Sequence, residues 1–154
     1  YRTRKSECLD LPPKIFHTRI VPMTPEQKRI YGELKKNART VLKNKEATYQ
    51  NRLTEIVKLH QVANGYVMTD DGKRIDLSSN KINELFNIIG ETDDKIIIWS
   101  TYVYTINKIA EALVNKYGKK SVVTFYGEVS VKDRHKRVED FQNDNCSKHR
   151  DLLL

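Results

Sequence analysis

The stretches KIIIWS (residues 95–100), SVVTFYG (121–127) and DLLL (151–154) decide the fold of this chain. Each is a short apolar run, and the residues between consecutive runs follow a helical pattern. Lys95–Trp99 shows no alternation of apolar and polar residues, which is typical of a strand covered on both faces. The order strand, helix, strand, helix, strand predicts parallel strands joined by right-handed crossovers. The chain is therefore predicted to be an α/β protein with a partial βαβαβ parallel sheet.

Three helices are predicted around these strands. The first runs from about Ser79 to Ile89, and the second covers about 103–117 and ends at Gly118. The third begins after Ser130, which is a good capping residue with Asp133 at the capping-box position. We expect Val131, Val138 and Phe141 to form the inner face of this last helix. Because the sequence ends on the third strand, we also expect the chain to be a piece of a larger protein.

The first 78 residues are predicted to be extended and then mostly helical. Prolines disfavour helix in residues 1–23, where 15–21 alternates loosely and could form a strand. Thr24-Pro25-Glu26-Gln27 is a strong helix start with a capping box. The apolar stripe that follows extends this helix to Leu42. A second helix is predicted over 49–63, with Leu53, Ile56, Val57, His60 and Ala63 on one side, and a hairpin over 66–77.

The net charge of +8 is concentrated in the first 60 residues, which hold 14 Lys/Arg and 6 Asp/Glu. Residues 61–154 hold 14 of each and are neutral. A basic segment beside a neutral α/β unit favours a polyanionic partner, nucleic acid above all. The alternative is a solvated basic helix face, which is common in lysine-rich proteins.

Two strand-to-helix turns are expected at the carboxyl edge of the sheet, where parallel sheets bind ligands. Ser100, Thr101 and Tyr102 form one turn, and Gly127 and Ser130 lie in the other. Hydroxyl groups and unpaired amides at helix N-termini can bind phosphate. The sequence leaves open that the hydroxyls are only helix caps and that Gly127 marks a plain turn.

Arg134 follows one turn inside the last helix and has the side chain best suited to bidentate phosphate contact. Its alternative role is an exposed helix charge paired with Asp133 or Glu139.

Several site classes are excluded by missing motifs. The sequence has no GxxxxGK[ST] loop, no GxGxxG after a strand and no HExxH, so neither a catalytic residue nor a metal ligand is predicted. Cys8 and Cys146 are isolated, which favours reduced thiols inside a cell. No run of 18 apolar residues is present, so no membrane partner is expected. These features predict a cytoplasmic protein, with a nucleoid-associated or phage-encoded one left open.

Ordered motifs along nearly the whole chain resemble the carboxyl half of a Swi/Snf-type translocase of the superfamily-two helicases. The segments that carry the resemblance are CLDLPPK (8–14), VPMTPEQKRIYGEL (21–34), LTEIVKLHQVANGYVMTDDGK (53–73), NKINELFNII (80–89), IIIWSTYVYTINKIAEAL (96–113) and FYGEVSVKDRHKRVEDFQND (125–144). Two positions depart from the family pattern: Tyr126 replaces an Asp that usually precedes the Gly, and Trp99 replaces a common Phe.

The resemblance implies a division into three parts. Residues 1–23 would link the first motor lobe to the second, and residues 24–78 would form a helical insertion with a possible short hairpin. Residues 79–154 would form the first part of a second RecA-like lobe, of the phosphate-loop NTPase type, truncated before motif five. The phosphate loop and the arginine finger of the family are absent from the sequence.

The resemblance also implies a function for the parent protein, which would be an ATP hydrolase that uses ATP and Mg²⁺ to translocate on DNA. Ser100, Thr101, Tyr102, Gly127, Ser130 and Arg134 would lie near the nucleic-acid path. Duplex DNA and the first motor lobe of the same chain would be the partners, and the fragment alone would be inactive. RNA stays open as a substrate, because phosphate contacts carry little sequence information. The alternative is a non-enzymatic nucleic-acid or protein interaction module with an open α/β fold.

Overall fold

The computed structural model describes residues 13–42, 44–48, 50–142 and 151–153. Helices and short strands alternate along these ranges. In chain order the elements are α1 (Pro25–Asn37), β1 (Arg39–Leu42), β2 (Lys45–Thr48), α2 (Arg52–Ala63), β3 (Tyr66–Met68), β4 (Arg74–Asp76), α3 (Lys81–Gly90), β5 (Ile96–Ile98), α4 (Val103–Tyr117), β6 (Val122–Thr124), α5 (Val131–Gln142) and β7 (Asp151–Leu153).

The predicted parallel sheet is present, with strand order β5-β7-β6. The last strand inserts between the first two and pairs in parallel with both. Ile98 and Thr124 both align with Leu153, so the three strands end level with one another. The α/β fold class and the placement of β5 and β6 in one parallel sheet are therefore confirmed.

One face of the sheet packs on helices α3 and α4. Ile89, Ile106 and Leu113 are buried there, and Ile96 and Ile98 pack against them. The prediction that β5 is covered on both faces is wrong for the described residues. Ile97 is 47% exposed and Trp99 is 76% exposed, because the packed helices contact only the face that carries Ile96 and Ile98. Val131, predicted to face inward on α5, is also exposed.

The long first helix predicted from the sequence is wrong beyond Asn37. Ala38 adopts a left-handed conformation (φ 54°) and ends α1, and residues 39–42 pair with 45–48 as an antiparallel hairpin. Asn44 has φ 62°, which Asn tolerates better than most residues. The apolar stripe did not distinguish the two conformations, because Val41 fits either a helix face or a strand.

Helix α2 lies close to its predicted position, but its predicted face is wrong. Leu53 and Ile56 are 74% and 63% exposed. The buried side carries Lys58, Gln61 and Val62 instead. Lys58 and Gln61 can be buried because their polar groups hydrogen-bond to the backbone of Met68. The Lys58 ammonium donates to the Met68 carbonyl, and Gln61 Oε1 accepts from the Met68 N–H.

The first half of the chain has its own apolar core around α1, α2 and the two hairpins. Its buried members are Ile30, Leu34, Ala47, Val62, Val67, Ile75 and Leu77. The capping box predicted at Thr24 and Gln27 is present. Gln27 is also buried, and its amide donates to the Val62 carbonyl at 2.7 Å. The hairpin predicted over 66–77 is confirmed as β3 and β4. The division at residue 78 stays a prediction, and residues 1–12 lie outside the described ranges.

Residues 15–21 are extended but pair with none of the strands that the structure describes, so the strand considered there is wrong. Arg19 fixes this segment to α3 through ion pairs with Glu84, at 2.9 Å, and with Glu91. The Asn80 side-chain amide donates to the Pro22 carbonyl at 2.9 Å. Side-chain contacts with a helix therefore replace a ladder of backbone hydrogen bonds.

Replacing Gly65 by Ala should destabilise the protein by about 1–3 kcal/mol, because the backbone strain of a positive φ adds to a steric clash of the new Cβ. Gly65 has φ +82°, and an added Cβ would lie 2.9 Å from Ser79 Cβ. Gly118→Ala is the matched control, since Gly118 has φ +91° with nothing within 4 Å of its Cβ position. Urea unfolding of both variants should show a larger loss for Gly65→Ala. Equal losses would contradict the close approach to Ser79.

Candidate nucleic-acid interface

Two turns leave the same edge of the parallel sheet. One follows β5 and leads into α4, and the other follows β6 and leads into α5. Because β7 lies between these strands, the turns begin about 10 Å apart, which is two strand spacings. The carboxyl edge predicted from the sequence therefore exists, and all six predicted contact residues follow the strands that end at it.

The turn after β5 has an open helix N-terminus. Tyr102 is the N-cap residue of α4, and its side chain makes no capping hydrogen bond. The first backbone bond of the helix joins the Ile106 N–H to the Tyr102 carbonyl at 3.0 Å. Ser100 is half-buried and Thr101 is exposed, and neither hydroxyl caps the helix. This end therefore offers uncapped N–H groups and the partial positive charge of a helix N-terminus.

Tyr102 itself is held by the first half of the chain. Its hydroxyl lies 3.1 Å from His60 Nδ1, and its ring makes an edge contact with Tyr66 at 5.8 Å between centroids. Tyr102 therefore fixes the position of the turn relative to α2 and β3.

In the turn after β6, side chains of the protein itself already cap the helix that follows. Ser130 caps α5: its Oγ accepts the Asp133 N–H at 3.2 Å and donates to the Asp133 carboxylate at 2.7 Å. The capping role predicted for Ser130 is thus confirmed. The Asp133 carboxylate adds a negative charge at this helix end, which disfavours a phosphate there.

Arg134 shapes this second turn from inside. Its guanidinium donates to the carbonyls of Val129, at 2.9 Å, and Gly127, at 2.7 Å. It makes no ion pair with Asp133 or Glu139, both of which are described. Gly127 does not have a positive φ, and nothing lies within 4 Å of its Cβ position, so it belongs to a plain turn.

Sequence reasoning missed three long-range residue pairs that support the edge. Arg137 donates to the carbonyl and, at 3.1 Å, to the hydroxyl of Thr124, the last residue of β6. Asp76 accepts from Lys108, at 2.8 Å, and from the Tyr104 hydroxyl, which joins the hairpin to α4. No local pattern signals these pairs, because the partners are 13 to 32 positions apart.

Tyr66 and Tyr104 are expected to titrate well above the ordinary pKa of a tyrosine. Burial raises the pKa of Tyr66 to about 12, and burial together with the Asp76 hydrogen bond raises the pKa of Tyr104 to about 12. An acid with a higher pKa in the folded state holds its proton more tightly there. Stability should therefore fall as pH rises from 10 towards 12. Ultraviolet titration should show a late phase that shrinks in Tyr66→Phe and Tyr104→Phe; an unchanged late phase would contradict this assignment.

Two further properties bear on the class of the site. Across the described ranges, no cluster of three or more His, Cys, Asp or Glu could hold a metal ion. None of the helices in this part of the chain combines the length and apolar character that crossing a membrane requires.

The parallel β5-β7-β6 sheet, with a helix after β5 and another after β6, defines an α/β unit. The chain is similar to a solved structure, the Sulfolobus solfataricus SWI2/SNF2 ATPase C-terminal domain, with 27% sequence identity and a TM-score of 0.65. The match covers 87% of this chain and 60% of that domain. No protein-family model and no curated protein sequence matches the chain.

This similarity confirms the resemblance to a Swi/Snf-type carboxyl-terminal motor domain. The chain spans about 60% of the length of the solved domain. Its fold is that of part of a helicase-like motor domain.

Proposed function

We propose that the chain is part of an ATP-dependent DNA translocase or helicase-like protein, in which it contributes nucleic-acid backbone contacts from the second motor lobe. The uncapped N-terminus of α4 at the carboxyl edge of the sheet carries this proposal. The similarity to a SWI2/SNF2 ATPase domain supports the same reading.

The six predicted contact residues take different roles in this proposal. Thr101 and Ser100 contact a phosphate together with the free amides of α4. Tyr102 positions that turn through His60. Gly127, Ser130 and Arg134 hold the shape of the second turn, because their polar atoms are engaged within the protein.

Exposed cations extend the proposed contact surface. Lys132 and Lys136 are exposed on α5, which begins at the same edge. Such side chains attract the phosphate backbone without reading sequence. Duplex DNA is the proposed ligand, and the first motor lobe of the same protein is the proposed partner.

ATP and Mg²⁺ belong to the parent protein in this proposal. The residues of the chain do not fit a nucleotide-phosphate site: the sequence has no GxxxxGK[ST] loop, and the described residues contain no metal-binding cluster. No chemical step is therefore assigned to them.

Measuring ATP hydrolysis by the purified chain, with and without duplex DNA, tests whether this chain lacks a complete ATPase site. We expect no turnover above the buffer rate in either condition. Robust turnover that is stimulated by DNA would show that the chain holds a complete active site, and the proposed role as a contributing lobe would be wrong.

A second candidate function is a protein interaction module, favoured by one observation. Leu53, Ile56 and Val57 form an exposed apolar stripe on α2 at helical spacing. Two NMR results together would favour the module over the motor lobe. The first is chemical-shift changes or protection confined to this stripe when a protein partner is added, and the second is no change at Thr101 when DNA is added.

A further inference from the structure

A groove lies between the extended segment 17–21, helix α3 and the start of α4. Its volume is about 490 Å³, within the range of ligand pockets. The floor is aliphatic and is formed by Ile82, Leu85, Ile88, Ile98 and Ile109. The groove opens beside Trp99, which is 76% exposed.

The segment that forms one wall is extended but is not part of a sheet in the described ranges. Its side chains alternate: His17, Arg19 and Val21 line the groove, whereas Phe16 and Ile20 point to solvent. The backbone N–H and C=O groups of residues 17–21 make no hydrogen bond to any other described residue. Since Arg19 holds the segment on α3, it is a preformed edge that an incoming extended chain can pair with.

Lys81 lies at the same groove and has no carboxylate partner in the part of the chain that the structure describes. Lys81 donates to Asn64 Oδ1 at 3.1 Å, a neutral partner, and no described carboxylate lies within ion-pair distance. Burial by the surrounding atoms lowers the pKa of Lys81. The other two groove cations are already paired, Arg19 with Glu84 and Lys108 with Asp76. An anionic group bound in the groove would therefore act as a counter-ion for Lys81.

We propose that this groove binds an extended peptide segment of another protein, which pairs with residues 17–21, places an apolar side chain on the aliphatic floor and sets a carboxylate beside Lys81. The aliphatic floor favours a peptide, because it offers neither stacking nor hydrogen bonding to bases; among the lining residues only Trp99 and His17 have rings on which a base could stack. The inference goes beyond the proposed function: Ser100 also lines the groove, but residues 17–21, the aliphatic floor and Lys81, on which the inference depends, are not assigned to DNA contact.

The probe for this site is the peptide Ac-Thr-Asp-Thr-Leu-Thr-Phe-Thr-NH2, in which Asp, Leu and Phe share one face of an extended chain. Trp99 is the only tryptophan of the protein, so its emission reports on the groove. Anisotropy of a fluorescein-labelled copy gives a second readout. We expect saturable binding with a Kd on the order of 10–100 µM, and binding at least about fivefold weaker for the Asn version of the peptide.

Two variants separate the parts of the proposal. Lys81→Met should remove the difference between the Asp and Asn peptides while keeping the apolar stem. Ile88→Asp, at a site already 37% exposed, should abolish binding without unfolding the protein. Lys120→Met is the matched control, because Lys120 is exposed and lies outside the groove.

Three results would overturn the proposal. The first is no saturable binding by either readout up to 1 mM peptide, roughly the weakest affinity of interest. The second is binding that neither Lys81→Met nor Ile88→Asp alters. The third is an oligothymidylate that binds the groove with Lys81 dependence when the peptide does not, which would assign the site to nucleic acid.

Discussion

Replacing Leu113 by Ala is expected to lower the free energy of unfolding by about 2–5 kcal/mol, the largest effect of any single substitution considered. Leu113 is fully buried between α3, α4 and the sheet, next to Ile89 and Ile106. Its removal leaves a cavity that a rigid helix and strand cannot close. Chemical unfolding followed by circular dichroism measures the loss.

Leu34→Ala is the matched variant, because Leu34 is equally buried but lies in the other core. Hydrogen exchange should show weakened protection centred on α1 and α2 for Leu34→Ala, and on α4 and β6 for Leu113→Ala. Identical exchange patterns in the two variants would contradict two separate cores. A loss below about 1 kcal/mol for Leu113→Ala would contradict its burial.

Thr101→Glu is expected to weaken duplex DNA binding by roughly tenfold at low salt, the largest effect on DNA binding expected of a single substitution. Thr101 is exposed beside the uncapped N-terminus of α4. A carboxylate there occupies the free amides and repels the phosphate that would otherwise bind. Fluorescence anisotropy with a labelled duplex measures the change.

Thr18→Glu is the control, because Thr18 is also exposed and the substitution changes the net charge by the same amount. It should weaken binding far less, since Thr18 lies on the extended segment and not at the sheet edge. Equal losses in both variants would mean that only net charge matters, and the proposed phosphate contact at Thr101 would be wrong.

The second half of the fold was predictable because its signals are local and agree with one another. The apolar runs, the caps and Gly118 placed β5, α4 and β6 within one or two residues of their observed bounds. The insertion of β7 between β5 and β6 was not predictable from pattern, because strand order depends on pairing between distant segments.

The first half was harder because local and tertiary preferences disagree there. Ala38 is a good helix former, yet it ends α1 in a left-handed conformation. In α2 the apolar residues Leu53, Ile56 and Val57 face solvent, and Lys58 and Gln61 are buried through bonds to Met68. A hydrophobic pattern identifies an amphipathic helix. It does not tell which face is buried when polar side chains on the other face can hydrogen-bond to the backbone of a neighbouring strand.

The candidate site was predictable in position but not in detail. Ser100, Thr101, Gly127 and Ser130 do meet at one sheet edge, as parallel strands require. The sequence did not show that Arg134 binds the carbonyls of Gly127 and Val129, because side-chain contacts to a turn have no sequence signature.

The salt dependence of duplex DNA binding by the unaltered chain tests the central claim most directly. If the sheet edge and the neighbouring cations contact phosphates, the logarithm of the association constant should fall linearly with the logarithm of salt concentration. Each phosphate should contribute about 0.9 to the slope, so the slope should be steeper than about −1. A slope near zero, or no binding even at low salt, would contradict a nucleic-acid backbone interface on this chain.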